Sequence, residues 1–150
     1  MNPKSILLVE DNPSDVALTQ RAFEKNGIRN ELRVASDGQD ALDYLFREGR
    51  HAGRDPNDMP ILILLDLKMP RVDGLEVLRR LRADPRTRRI PVAILTSSTE
   101  KQDVAAGYDL GTNSYIRKPV DFQEFAEVVK LLGIYWMMVN EPPPAEASHV

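Results

Sequence analysis

The sequence predicts an α/β domain built on a parallel β-sheet, and three observations carry that prediction. Apolar runs short enough to be strands recur five times along the 150 residues. Segments with helical spacing and helix-starting residues alternate with them, which is the signature of βαβ units with helices on both sheet faces. The run Ile61–Leu65 is apolar at every position, as a central parallel strand covered on both sides requires.

The elements follow in order. Ile6–Val9 is a first strand, closed by Glu10–Asp11. Asn12 suits a helix cap, Pro13 the first turn, and Asp15 stands where a capping-box acid would. That helix carries Val16, Ala17, Gln20, Ala22 and Phe23 to a stop at Asn26–Gly27. Leu32 and Val34 mark a second strand, and Asp37–Gly38 opens a helix with Ala41, Leu42 and Leu45 on one face. Residues 49–60, with Gly, Pro, Asn and Asp and no periodicity, read as a solvent loop. After Ile61–Leu65, a helix over Gly74–Ala83 turns Leu75, Leu78 and Leu81 inward. Val92–Leu95 is the fourth strand, ending in Thr96–Ser97–Ser98. A helix around Gln102–Asp109 stops at Gly111, Ser114–Ile116 is the fifth strand, and Lys118–Pro119 breaks the chain before a last helix from Asp121.

Composition removes several kinds of chemistry. The chain has no cysteine, which excludes disulfides, thiolate catalysis and Cys-ligated metals. His51 and His149 are its only histidines, too few for a histidine-rich metal site. A formal net charge of −3 argues against non-specific nucleic-acid binding. No apolar stretch reaches membrane-spanning length and the N-terminus lacks a signal-peptide core, so the expected location is cytoplasmic. Glu100 and Asp103 read as solvated helix-face residues, and Arg79, Arg80, Arg82, Arg86, Arg88 and Arg89 as a wetted surface.

In parallel sheets, ligands bind beyond the C-terminal ends of the strands. That rule brings together Glu10–Asp11, Asp66, Thr96 and Lys118. Singly, Asp11 could be a helix cap, Thr96 a partner for backbone groups and Lys118 a solvated turn residue. Together, three mutually repelling acids make sense around a cation. Oxygen ligands without His or Cys suit Mg²⁺. The expected ligands are Asp11 and Asp66, with the backbone carbonyl of Lys68 as a third and Glu10 acting through a metal-bound water. Asp66 can serve as nucleophile and carry a phosphoryl group. Lys118 and Mg²⁺ would neutralise the transferring oxygens, and the Thr96 hydroxyl would donate to one of them. No glycine-rich nucleotide cradle is present, so the phosphoryl group is expected from a protein or a small phosphodonor.

The motifs ILLVEDN at 6–12, LILLDLKMPRVDGLEVL at 62–78, VAILTSS at 92–98 and SYIRKP at 114–119 resemble the receiver domain of two-component response regulators. The resemblance implies a flavodoxin-like three-layer sandwich with a five-stranded parallel sheet in order 2-1-3-4-5. It implies phosphotransfer from a histidine kinase onto Asp66 and slow self-catalysed hydrolysis, rather than turnover of an external substrate. Glu10 and Asp11 fall on the family's acidic pair, Thr96 on its switch hydroxyl, Lys118 on its lysine and Tyr115 on its switch aromatic. Lys68 and Ser98 fall on positions that tune dephosphorylation, and Lys118–Pro119 on a bond that is usually cis.

The long 49–60 loop, and a last helix continuing through Ile134–Met138, resemble the small stand-alone response regulators that serve bacterial phytochromes. The implied partner is such a kinase. Residues 1–140 are then expected to form the receiver domain, with EPPPAEASHV at 141–150 as a disordered tail and no DNA-binding domain after it. The apolar run Ile134–Val139 is more than one helix face can bury, which predicts a homodimer through the C-terminal helix. Two other readings remain beside the switch: a constitutive binding module that kept the fold, and a metal-dependent aspartyl phosphatase. The latter typically wants a second acid where this chain has Lys68.

Overall fold

The computed structural model describes residues 5–97, 100–119 and 121–136. Five strands, β1 (Ile6–Val9), β2 (Leu32–Ala35), β3 (Leu62–Leu65), β4 (Val92–Thr96) and β5 (Ser114–Arg117), form one parallel sheet. Its order, β2-β1-β3-β4-β5, is the expected one. Between and after the strands run α1 (Pro13–Lys25), α2 (Gly38–Phe46), α3 (Gly74–Ala83), α4 (Lys101–Asp109) and α5 (Phe122–Ile134).

Strand alternation sorts the core into two layers. Leu7, Val9, Ile63, Leu65, Val92 and Ile94 pack against Ala41, Leu42 and Leu45 of α2 and Val77, Leu78 and Leu81 of α3. Ile6, Leu8, Leu62, Leu64, Ala93 and Leu95 pack against Ala22 and Phe23 of α1 and Phe125, Ala126, Val129 and Leu132 of α5. Every residue of β1, β3 and β4 is buried, because these three strands are covered on both faces. Each fully buried Leu, Ile or Val contributes about 1.5–3 kcal/mol relative to exposure, so this apolar double layer supplies the main driving force for folding. Leu32 and Val34 lie on β2 as expected, but Val34 is not part of the core. It is 37% exposed because β2 is the edge strand, bonded to β1 on one side only.

The helix starts are fixed by short polar side chains. Asn12 Oδ1 accepts the Ser14 N–H at 2.9 Å and the Asp15 N–H at 3.4 Å. Asp37, Asp73 and Asp121 cap α2, α3 and α5 in the same way. Asp37 also receives Arg71 Nε and Nη2, both at 2.8 Å, which docks the loop after β3 onto the start of α2. Gly38 is obligatory there: a Cβ would lie 1.8 Å from the Val72 carbonyl oxygen.

Two regions correct the sequence reading. The 49–60 loop is not simply solvated. It contains a 3-10 turn at Gly49–His51 and is held by charges. Arg50 Nη2 lies 2.9 Å from both Asp40 oxygens, His51 Nε2 is 3.0 Å from Asp40 Oδ1, and Arg54 stacks 3.5 Å above the Tyr44 ring. Arg82 is a clamp rather than a wetted surface residue. It donates to the carbonyls of Gly111 (2.9 Å), Arg88 (3.0 Å) and Ile90 (2.8 Å) and to Asn113 Oδ1 (3.1 Å). The expected continuation through Ile134–Met138 holds as far as the described residues reach: α5 runs to Ile134, and residues 135–136 carry the helix on as a π-type turn. Met137, Met138, Val139 and the expected tail lie outside the described residues.

Asp40 makes the loop anchor testable by pH. Burial pushes its carboxyl up, but the His51 and Arg50 pairs and the Ser36 N–H more than offset this and hold it below the ordinary 3.8. Its stabilising contribution is therefore complete above that value and is lost as pH falls through the lower folded value. Replacing Asp40 with Asn should destabilise the fold at pH 7 and shrink the gap from the parent towards pH 2. Denaturant midpoints across that range give the test.

Candidate functional site

Beyond the C-terminal strand ends the sequence turns from apolar to charged at one level of the sheet. Val9 and Leu65 are register partners, so the residues after them, Glu10 and Asp66, emerge side by side. Glu10 is 3% exposed and Asp66 8% exposed, whereas Asp11 is open to solvent. The three can bring one carboxylate oxygen each within 4.8 Å of one another. Asp66 Oδ1 accepts the Leu67 N–H at 2.8 Å, and its own N–H is held by the Val9 carbonyl at 3.1 Å. Gly74 lets α3 start against this turn: a Cβ on it would lie 2.2 Å from the Asp66 carbonyl oxygen.

Lys118 reaches this cluster from beyond β5. Its ammonium is hydrogen-bonded to Glu10 Oε1, lies 2.9 Å from Asp15 Oδ2 and is 3.6 Å from Asp66 Oδ2. Asp15 was expected as a capping acid; the structure makes it a partner of Lys118, and only the packing of α1 on the sheet reveals that role. Burial pushes Glu10 up to about 7, against the pull of Lys118 and with a further push from the Asp66 charge. Burial lowers Lys118, but its bonds to Glu10 and Asp15 outweigh that, so the ammonium is held charged. An acid this strained by desolvation, beside two further carboxylates and with oxygen donors only, fits a hard divalent cation.

Thr96, at the end of β4, is fully buried, and its carbonyl accepts the Lys118 N–H at 2.8 Å. Tyr115 is partly buried against the α2–α3 core layer, its ring 3.3 Å from the Cβ position of Gly107 on α4. Ser98 lies outside the described residues. No peptide bond among the described residues is cis, so the expected cis Lys118–Pro119 bond is trans here, the form that X–Pro bonds intrinsically favour. Asp103, expected to be solvated, is buried and forms an ion pair with Lys68 at 3.5 Å. An open cleft of about 510 Å³, lined by Asp11, Lys68, Met69, Asp73 and Asp103 among others, adjoins the carboxylates.

Comparison with known proteins places this geometry. Residues 6–130 match the response regulator receiver domain family. The chain is a response regulator receiver domain. This receiver domain is 36% identical over 143 residues to response regulator Rcp1 of Synechocystis, covering 95% of each chain. The Mn²⁺-bound structure of Rcp1 superimposes with a TM-score of 0.86, over 95% of this chain and 100% of that one. The phosphorylated cyanobacterial phytochrome response regulator RcpA matches at 37% identity and a TM-score of 0.88, covering 95% and 99% of the two chains. Bacteriophytochrome response regulator RtBRR is 50% identical, with a TM-score of 0.76 over 95% and 86%. Among the described residues of the receiver domain, no helix is long and apolar enough to cross a membrane.

Removing Lys118 should expose the strain on Glu10. In Lys118→Met the pull that opposes burial is gone, so the Glu10 carboxyl titrates above its parent value of about 7. A carboxyl raised in the folded state adds stability that is complete below its unfolded value of 4.5 and lost as pH rises through the folded one. With chelator present, the stability gap between parent and variant should widen by about 1–2 kcal/mol from pH 5 to pH 8. Denaturant titrations at the two pH values measure it.

Proposed function

We propose that Asp66 is the phosphoacceptor of this receiver domain and that the chain is a phosphorylation-operated signalling switch. The observation that carries the reading is the convergence of Asp66 with two further carboxylates and one ammonium at the C-terminal edge of a parallel sheet. An Asp66 oxygen attacks the donor phosphorus, and the donor's phosphorus–nitrogen bond breaks with its electron pair returning to the imidazole. Asp11, Asp66 and the Lys68 carbonyl would hold Mg²⁺, with Glu10 behind them. Bound there, the metal supplies positive charge against the transferring oxygens. Lys118 supplies a second positive charge, and the Thr96 hydroxyl donates to a phosphoryl oxygen.

The change then travels outward. As Thr96 turns to the phosphoryl group it vacates space against the sheet, and Tyr115 turns into it, a two-state packing event of the kind local phosphorylation produces. The donor is a histidine kinase, and the relatives named for phytochrome and bacteriophytochrome systems favour a phytochrome-type one. We place the exchange in the cytoplasm. Neither the constitutive binding module nor the aspartyl phosphatase is favoured: the full set of site groups is present, and Lys68 stands where the phosphatase wants an acid.

Intact mass should rise by about 80 Da on treatment with a small phosphodonor and Mg²⁺, the mass of one phosphoryl group. The gain should vanish in Asp66→Asn and on chelation, with circular dichroism unchanged because the apolar layers and not the metal hold the fold. Labelling that survives in Asp66→Asn would end the assignment.

The receiver domain is also proposed to form a homodimer through α5. Leu131 is 63% exposed and Tyr135 50% exposed, while Trp136 folds back partly buried against the α1–α5 core layer. These residues, with Ser114, Ile116, Val128 and Leu132, line an apolar groove of about 420 Å³ between β5 and α5. An isologous two-fold contact would cover it. Exchanging Leu131 for Glu together with Tyr135 for Ser should give a folded monomer that still accepts phosphate. Sedimentation showing the parent monomeric at high micromolar concentration, phosphorylated or not, would rule the dimer out.

A further inference from the structure

Helix α4 is held unlike its neighbours. Its buried residues are Asp103 and Gly107, a carboxylate and a residue without a side chain. Asp103 is the third residue of the helix, where the N-terminal dipole favours negative charge. Its Oδ2 is 3.5 Å from the ammonium of Lys68, two residues beyond Asp66. The lysine side chain is 66% exposed and that of Asp103 only 11%. The carboxylate is thus the fixed partner, set by the first turn of α4, and the flexible four-carbon stem of Lys68 is the part that can move. Among the described residues lining the adjoining cleft, Asp11, Asp73 and Asp103 are anionic and Lys68 is the sole cation.

We propose that Asp103 is a positioning residue for phosphoryl acceptance: it tethers the Lys68 ammonium to the α4 side of the cleft and withholds it from an incoming phosphoryl group. The inference rests on the reading of Asp66 as phosphoacceptor. An anionic donor approaching Asp66 through the cleft meets three carboxylates, and the cation of the cleft lining, as distinct from Lys118 at the carboxylate cluster itself, is already paired. Acceptance then requires the phosphoryl charge to compete with Asp103 for Lys68, which damps phosphorylation by small free donors. A kinase that brings its own charges to the cleft mouth could open the tether as it docks.

The test is a double-mutant cycle on the labelling rate of the full chain with acetyl phosphate and saturating Mg²⁺. Asp103→Asn should label about fivefold faster than the parent, less than the roughly 10-fold or more that a whole charged cleft imposes on association, since one ion pair is changed. In a Lys68→Met background the same change should alter the rate less than about twofold, because there is no ammonium to release. Asp103→Glu, which keeps the tether, should stay near the parent rate. Asp103→Ser serves as a second neutral variant should the asparagine protein not fold. An equal acceleration in both lysine backgrounds would mean that Asp103 acts through its own charge, and overturns the proposal. So would Asp103→Glu matching Asp103→Asn, the mark of a purely structural residue. A parent that takes no label at all defeats the phosphoacceptor reading itself, whereas a labelled parent with additive variants defeats the tether alone.

Discussion

Everything at the functional edge of this domain depends on one ammonium. Lys118 is shared by Glu10 from the end of β1, Asp15 from α1 and Asp66 from the end of β3. The carboxylates are crowded because the β1–β3 register puts Glu10 beside Asp66, and the apolar strands behind them fix that register. A shift by one residue would turn every buried Leu and Ile of a strand to the wrong face, so the core holds the acids together against their repulsion. Burial sharpens the conflict by raising Glu10. The lysine relieves part of it, and the remaining negative charge is what makes the cluster receptive to a cation.

The same division explains what was legible in the sequence. Strands β1, β3 and β4 announced themselves because a strand covered on both faces must be apolar throughout, and Ile63, Leu65 and Ile94 are fully or almost fully buried. The positions of Glu10, Asp11, Asp66, Thr96 and Lys118 could be read because each follows a strand, and a parallel sheet gathers its strand ends at one edge; singly, most of them had ordinary alternatives. Periodicity alone does not distinguish an edge strand such as β2 from an inner one, and Val34 is 37% exposed there. Asp15, Asp103 and Arg82 were misread for another reason. Asp103 and Arg82 are polar on a helix, the usual mark of a solvated face, and Asp15 stands where a capping acid would, yet each gets its role from a partner far along the chain: Lys68, the Gly111–Asn113 turn and Lys118. Residue type and local spacing hold no record of such pairings; only the packed helices create them. The 49–60 loop shows the same limit, since nothing around Arg50 or His51 points to Asp40.

The distribution of burial bears on how a phosphoryl group could change the shape of the domain. Helices α2, α3 and α5 each place several large apolar side chains into their core layer, and α1 places Phe23 with partly buried Val16 and Leu18. Moving any of these would expose area worth several kcal/mol, about as much as a single local interaction can repay. Helix α4 has no such anchor. It rests on Gly107 against Ile94 and Tyr115, and its buried carboxylate faces a lysine two residues from Asp66. A helix held by close backbone approach and an ion pair is the element that a new local charge can shift at the lowest cost. Tyr115 packs beside the same glycine, so the aromatic ring and the ion pair act on one helix from its two ends: Lys68 at the first turn, Tyr115 in the last. Electrostatics near Asp66 and packing near Tyr115 are therefore coupled through a body that neither core layer fixes in place.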